Sequence, residues 1–434
     1  MKFKKIKIDN WKQFEEINID FHPNLTILTG ANGSGKTTIL NLLAKHFGWH
    51  INELATPKKE KGGGFRFHIG VYNKKAYSTN NPMLHNPGIH NPGMHNPMGH
   101  NSKQYEIGRI IYEDNSSNSF IATEQDNAVY NIQIQNMKAF RGVNIPSHRP
   151  VFFYEQVPSV PTKKITKEFV SNQINQSKVG KYNSNFNNTK ATNYYIKETL
   201  LNWAIGGGGN KFITADLELE NYFNGFEEVL QKTLPKSLGF LKISIRNYEI
   251  VFETKTGDFM LDAASGGISA IIDLVWSIYI NTLNTEQSIV LIDEIENHLH
   301  ATLQRAILPS LINAFSNVQF ITSTHSPLII GSVKDSNVYA LRYNVNNKIY
   351  NEKLDLINKA KNANEILNEV LGVPFSMPIW VENELENIIN KYSEQEISSD
   401  IFKNMRRELD EKGLENLMPW AMDKTLDRLD DKDK

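Results

Sequence analysis

The period of hydrophobic and polar positions changes several times along the chain, and each change marks an element. Ile6 and Ile8 share one face of an opening strand. Leu25-Thr-Ile-Leu28 is a short apolar strand that runs into a glycine-rich turn. Beyond the turn, Leu40, Leu42, Leu43 and Phe47 take helical spacing and predict a buried helix face. Strand-like stretches follow at residues 65–71 and 105–112. Helical patterns appear at 195–204, interrupted by glycines 206–209, and again at 217–230. Strand patterns at 240–245 and 248–254 precede a helix around 270–279. Ser288-Ile-Val-Leu-Ile292 is an apolar run of the kind found in a central strand. Strand, helix and strand alternate to about residue 343, which predicts a parallel α/β sheet. The final ~70 residues read as mainly helical, with breaks at Gly372-Val-Pro374 and Pro378.

Two stretches break the periodic pattern. Asn81-Pro-Met-Leu-His85, Asn86-Pro-Gly-Ile-His90, Asn91-Pro-Gly-Met-His95 and Asn96-Pro-Met-Gly-His100 form a tandem pentapeptide. Its prolines forbid a continuous helix and disfavour a strand, so residues 81–101 are expected to be a solvated loop insertion. The evenly spaced His85, His90, His95 and His100 leave metal binding open as a second reading. Residues 171–193, rich in Asn, Ser and Lys, are expected to be mobile.

Composition narrows the class. At 434 residues with 40% hydrophobic content, the chain supports two or three domains. It has no cysteine, which excludes disulfides, thiolate metal sites and cysteine nucleophiles. No apolar run reaches membrane-spanning length and the basic start lacks a signal-peptide core, so the expected location is the cytoplasm, without membrane contact. A net charge of −1 does not by itself argue for a nucleic-acid partner. The charge is uneven, however. Residues 162–200 carry seven lysines against two glutamates, and residues 382–434 carry fifteen acidic side chains against nine basic ones. The first segment could face a polyanion such as DNA and the second could dock a protein, although two solvated faces account for them equally well.

The most informative chemistry lies in Gly30-Ala31-Asn32-Gly33-Ser34-Gly35-Lys36-Thr37-Thr38. A strand, then Gly-x4-Gly-Lys-Thr, then a helix is the order a phosphate cradle needs. Glycines let successive N–H groups converge on phosphate, and the helix adds its positive end. Lys36 can reach the β- and γ-phosphates, and the Thr37 hydroxyl can bind Mg²⁺. The apolar strand at 288–292 ends in Asp293-Glu294, at the carboxyl end where ligands bind in open α/β sheets. There Asp293 can hold Mg²⁺, and Glu294 can deprotonate the water that attacks the γ-phosphate. Ser265-Gly266-Gly267 opens a further helix and is a second candidate anion site. It can serve the same nucleotide most simply in a dimer, capping the site of the opposite subunit. His325 ends the strand-like Val318-Gln-Phe-Ile-Thr-Ser-Thr324 and can sense the γ-phosphate by hydrogen bond.

In this order the motifs resemble those of ABC-type ATPases over residues 1–60 and 105–345. The resemblance implies an α/β head: a parallel P-loop core sheet, an antiparallel β subdomain and a helical lobe, the last placed at 163–235. It assigns a phosphate loop at Gly30 to Thr37, a signature loop at Ser265 to Gly267, a Walker B pair at Asp293 and Glu294, and a switch histidine at His325. It also implies a glutamine that contacts Mg²⁺. Gln156 is the candidate, with Gln133, Gln135 and Gln173 left open. The signature reads Ala-Ser-Gly-Gly-Ile, which differs from transporters at its first and last positions.

Ile6-Lys-Ile-Asp-Asn-Trp-Lys-Gln-Phe14 and Asp293-Glu-Ile-Glu296-Asn-His-Leu-His300 are similar to the RecF, SMC and OLD branch, without the heptad insertions of SMC proteins. Ser147-His-Arg-Pro150 with Val157-Pro-Ser-Val-Pro-Thr162 is similar to stand-alone ATPases of bacterial anti-phage systems, such as the ATPase subunit of Septu. The resemblance implies ATP and Mg²⁺, a homodimer or higher homo-oligomer, and an effector such as an HNH nuclease docked on the helical region 346–434. A DNA-repair ATPase and a slow ATP-binding scaffold are the alternatives. Pro378-Ile-Trp-Val-Glu382 looks superficially like the first strand of a Toprim nuclease, but too little chain follows to complete that domain.

Overall fold

Five parallel strands form the centre of the protein. In order across the sheet they are Asn337–Tyr343, Leu25–Gly30, Val318–Ser323, Ser288–Ile292 and Gly142–Ile145. The computed structural model describes residues 1–60, 62–72, 103–124, 127–182, 190–282, 287–355, 357, 359, 361–371, 378–393 and 399–430. Every residue of Leu25–Gly30, Ser288–Ile292 and Val318–Ser323 is buried, as an apolar run covered on both faces requires. The sheet continues through Ile349–Lys353 into the antiparallel strands Phe14–Asp20, Phe3–Trp11, Gln104–Tyr112, Ser117–Thr123 and Ile132–Ile134, for eleven strands in all. Gln319, fully buried, ties this lobe to the core: its side chain bonds both the N–H and the C=O of Phe3.

Helices Lys167–Tyr182, Thr192–Gly208 and Leu217–Thr233 and a small sheet of Phe240–Arg246, Glu249–Thr254 and Phe259–Met260 make a second lobe. They pack on helix Gly266–Asn281 through an aromatic cluster. Trp276 lies 5.5 Å from Trp203 and 4.8 Å from Phe226, ring centre to ring centre.

Compact units run from Met1 to Ala363 and from Asn364 to Lys434. Strand Ile349–Lys353 belongs to the first, which therefore extends beyond the residue-345 boundary expected from the sequence. The second holds helices Ile379–Ser393, Ser399–Glu411 and Met418–Asp430 around a core that includes Leu385, Ile388, Met405, Leu409 and Ala421. Pro378-Ile-Trp-Val-Glu382 enters the first of these helices and not a strand, which removes the Toprim likeness.

Other departures from expectation have local causes. Residues 171–182 are helical, because Val170 and Ile174 are buried and Lys167, also buried, lays its ammonium 3.4 Å from the Tyr279 ring centre. Burial pushes the Lys167 amine down to about 7. Helix Thr192–Gly208 runs through the glycines expected to end it. Gly207 lies so close to the neighbouring helix that a Cβ there would meet the Glu220 backbone nitrogen at 2.5 Å, and one on Gly206 would meet Leu219 at 2.6 Å, so these two glycines serve close packing. The strand expected at 65–71 is shorter, Phe65–His68, and pairs with Thr56–Lys59 in its own hairpin. The signature helix starts at Gly266, where the Ser265-Gly266-Gly267 turn was expected to open it, and the histidine repeat lies outside the described residues.

Candidate functional site

The phosphate loop leaves the carboxyl end of Leu25–Gly30 and enters helix Lys36–Ala44. Gly30, Gly33 and Gly35 have φ of 138°, 78° and 86°, values that other residues adopt only with strain. Two of them are also crowded. A Cβ on Gly30 would sit 2.4 Å from the Leu341 carbonyl oxygen, and one on Gly35 2.3 Å from the Phe14 ring. Lys36 is buried, and its ammonium donates to the carbonyls of Gly30 and Ala31, both at 3.0 Å. Burial pushes its pKa down to about 8, against the opposing pull of Asp293, Glu294 and Glu296.

Parallel pairing brings the strand-end chemistry to the same edge. Thr37 Oγ1 lies 2.9 Å from Asp293 Oδ2, so both oxygen donors expected at a magnesium ion face each other. The Ser323 hydroxyl donates to Asp293 and accepts from the Glu294 N–H at 2.8 Å. Glu294 adopts φ 47°, an uncommon left-handed conformation for a side-chain-bearing residue. Its Oε2 accepts from Asn297 Nδ2 at 2.8 Å, and its Oε1 lies 3.9 Å from His325 Nε2. Burial, then the Lys36 charge, lowers the His325 pKa below the ordinary imidazole value, so the ring is neutral at pH 7. Glu296 fixes that loop by accepting from the His325 N–H and from Thr324 Oγ1, the latter at 2.8 Å.

The structure thus gathers Lys36, Thr37, Asp293, Glu294 and His325. Ser265 and Gly266 are exposed at the start of their helix, and the Ser265 side chain makes no capping bond. Among the described residues, no hydrogen bond or ion pair joins this turn to the phosphate loop or to Asp293. Gln156 is exposed in an irregular segment, without a hydrogen bond to Thr37 or Asp293. The position that follows the edge strand Gly142–Ile145, beside the Walker B strand, is filled by Ser147, His148 and Arg149.

Reading the sequence alone assigns no role in the site to Ser323, Asn297, Glu296 or Arg149. Ser323 is adjacent to the Thr324-His325 pair, so its place at the strand end was available as a signal. Arg149 is 6% exposed and, among the described residues, bonds main-chain carbonyls alone, a function that no motif spacing announces. A cavity of about 430 Å³ lies beside the loop, lined by Lys12, Gln13, Lys58, His68, Tyr72 and Lys348 among others. Its Gln13 donates to the Gly33 carbonyl at 2.7 Å.

The comparison with known families decides the assignment. The family model described as "AAA domain, putative AbiEii toxin, Type IV TA system" matches residues 25–331, from the phosphate-loop strand to just beyond His325. The chain belongs to this family. Among curated relatives it is 24% identical over 395 residues to the Retron Ec83 probable ATPase of Escherichia coli, covering 78% of this chain and 71% of that one. It is 21% identical over 417 residues to the Septu protein PtuA of Bacillus thuringiensis, covering 92% of each. A local match, 49% identical over 47 residues, is to the DNA replication and repair protein RecF of Lactococcus lactis, covering 11% of this chain and 13% of that one. The chain is therefore an ATPase, similar in sequence to retron ATPases and to a Septu protein. Among the described residues, no helix is long and apolar enough to cross a membrane.

Proposed function

We propose that the chain binds and hydrolyses ATP between two copies of itself and uses the nucleotide state to control an effector, a nuclease, in anti-phage defence. The observation that carries the catalytic part is the convergence of Thr37 on Asp293 and of Glu294 on His325 around the glycine cradle of Lys36.

The residues fit their groups. The cradle glycines leave room where side chains would project, and Lys36 supplies a cation for the β- and γ-phosphates. Thr37 and Asp293 are the oxygen donors for Mg²⁺, whose bound charge would offset that of the phosphates. Glu294 takes a proton from the attacking water as its oxygen bonds to the γ-phosphorus. The bond to the bridging oxygen breaks, releasing ADP and phosphate. Neutral His325 is placed to hydrogen-bond the γ-phosphate, and the neighbouring cavity is of a size to take the nucleoside. Ser265 to Gly267 of a second copy would complete the cradle.

The effector part rests on the likeness to the Septu protein and on the second compact unit. That unit presents Ile379 and Trp380 at 74% and 63% exposure, in a segment rich in acidic residues. The test uses Glu294→Gln. With ATP and Mg²⁺ this variant is expected to accumulate as dimers and to retain a co-purifying nuclease that the native protein releases on turnover. Normal hydrolysis in the variant would remove the base assignment. A chain that elutes alone and turns over faster with DNA would favour the repair reading.

A further inference from the structure

We propose that Arg149 is a positioning residue for hydrolysis: its buried guanidinium sets the backbone of the loop that carries Glu294, and so aims the base. The proposal rests on the assignment of Glu294 above.

Register pairing puts Ile145 opposite Ile292, and the Asp293 N–H donates to the Ile145 carbonyl at 2.9 Å. Residues 146–149 therefore run alongside the loop that follows Asp293. From there Nη1 of Arg149 donates to the carbonyls of Ile295 and Asn297 at 3.2 and 3.1 Å. Nη2 donates to those of Glu294 and Ile295, both at 3.2 Å. Only a planar fork with several fixed N–H groups can hold three carbonyls of one loop in this way; an ammonium cannot. The loop needs such a clamp, because Glu294 and His298 stand at φ 47° and 66°.

The grip extends to the catalytic carboxylate. Asn297, whose carbonyl Arg149 holds, donates through Nδ2 to Glu294 Oε2 at 2.8 Å and to the Ser147 carbonyl at 3.1 Å. Glu294 is thus fixed at its carbonyl by Arg149 and at its carboxylate by a residue that Arg149 also holds. The buried cation makes no ion pair of its own among the described residues. The charges that stabilise it are Asp273, Glu296, Asp293 and Glu294, three of them in the site itself. Asp273 lies in the signature helix, 1% exposed, with Oδ1 unpartnered among the described residues.

The test is steady-state hydrolysis and ATP-analogue binding for Arg149→Lys and Arg149→Gln, alone and combined with Glu294→Gln. No hydrogen bond links Arg149 to the phosphate loop among the described residues, so nucleotide affinity and KM are expected to stay near native. kcat falls about a hundredfold, the effect of an ångström-scale misplacement of the base. In the Glu294→Gln background the same substitutions cause no further loss, because the group they aim is already gone. If Arg149→Gln does not fold, Asn297→Ala removes the carboxylate link alone and is expected to lower kcat without changing KM. Native kcat in Arg149→Lys, loss of affinity in step with kcat, or a full additional loss on top of Glu294→Gln would each overturn the proposal. Native turnover in Glu294→Gln itself would instead remove the base assignment on which it rests.

Discussion

Two glycine turns open helices in this protein, and their surroundings differ. At the phosphate loop the glycines are required by the chain's own packing. Gly30 and Gly35 have positive φ, and added carbons would meet the Leu341 carbonyl and the Phe14 ring. At the signature turn, Gly266 has open space around it, and a Cβ on Gly267 would come no closer than 3.3 Å, to the His298 carbonyl. Ser265 caps nothing with its side chain. The first turn is thus demanded by folding and the second is not. A motif that its own fold does not need points to a ligand or a second copy as the reason for its form.

The comparison can be broken or sharpened by substitution. The largest effect belongs to Glu294→Gln, which leaves both turns untouched and removes the proton acceptor. kcat is expected to fall about a hundredfold to ten-thousandfold while ATP still binds, as read by hydrolysis and nucleotide titration. Gly35→Ala should cost about 3 kcal/mol of folding stability, from the positive φ and the overlap with Phe14 together, measured by denaturant titration. Native stability in that variant would mean the loop is not built by its own chain.

Protonation gives an intermediate effect. With its pKa near 8, Lys36 is an ammonium below that pH and loses its charge above it. ATP affinity should be constant up to about pH 8 and then weaken by up to about tenfold per unit, checked by titration at pH 7, 8 and 9. The stability contribution runs the other way. The folded value lies below the unfolded 10.5, so the unfolded chain binds more protons between these values and this group favours folding increasingly as pH rises through them. The smallest expected effect is that of Gly266→Ala on folding, within about 0.5 kcal/mol of native, while turnover is lost. Equal damage to stability at Gly266 and Gly35 would erase the distinction.

The same contrast explains what the sequence could reveal. The phosphate loop, Asp293-Glu294 and His325 were legible because each is a contiguous string at the end of an apolar strand, and parallel pairing brings such ends together. Arg149 was not, because it acts on carbonyls of residues far away in the chain. Residues 171–193 read as mobile because a polar sequence hides what secures helix Lys167–Tyr182: two buried aliphatics and a lysine covered by tyrosines from other helices. Glycines 206–209 read as a helix end, yet the helix continues to Gly208, and Gly206 and Gly207 admit the neighbouring helix at close range. Gln156 followed a plausible motif, but strand Gly142–Ile145 brings Ser147 to Arg149 to the site edge instead.

The most direct measurement is complementation between two inactive variants. Lys36→Ala keeps the signature turn and loses the phosphate cation; Gly266→Asp keeps the cradle and spoils the turn. If the turn of one copy completes the cradle of the other, mixing them restores one intact site in each mixed dimer. Hydrolysis should then recover to about a quarter of native under random pairing. A mixture as inactive as its two components would contradict the account, because each site would then be built within a single chain.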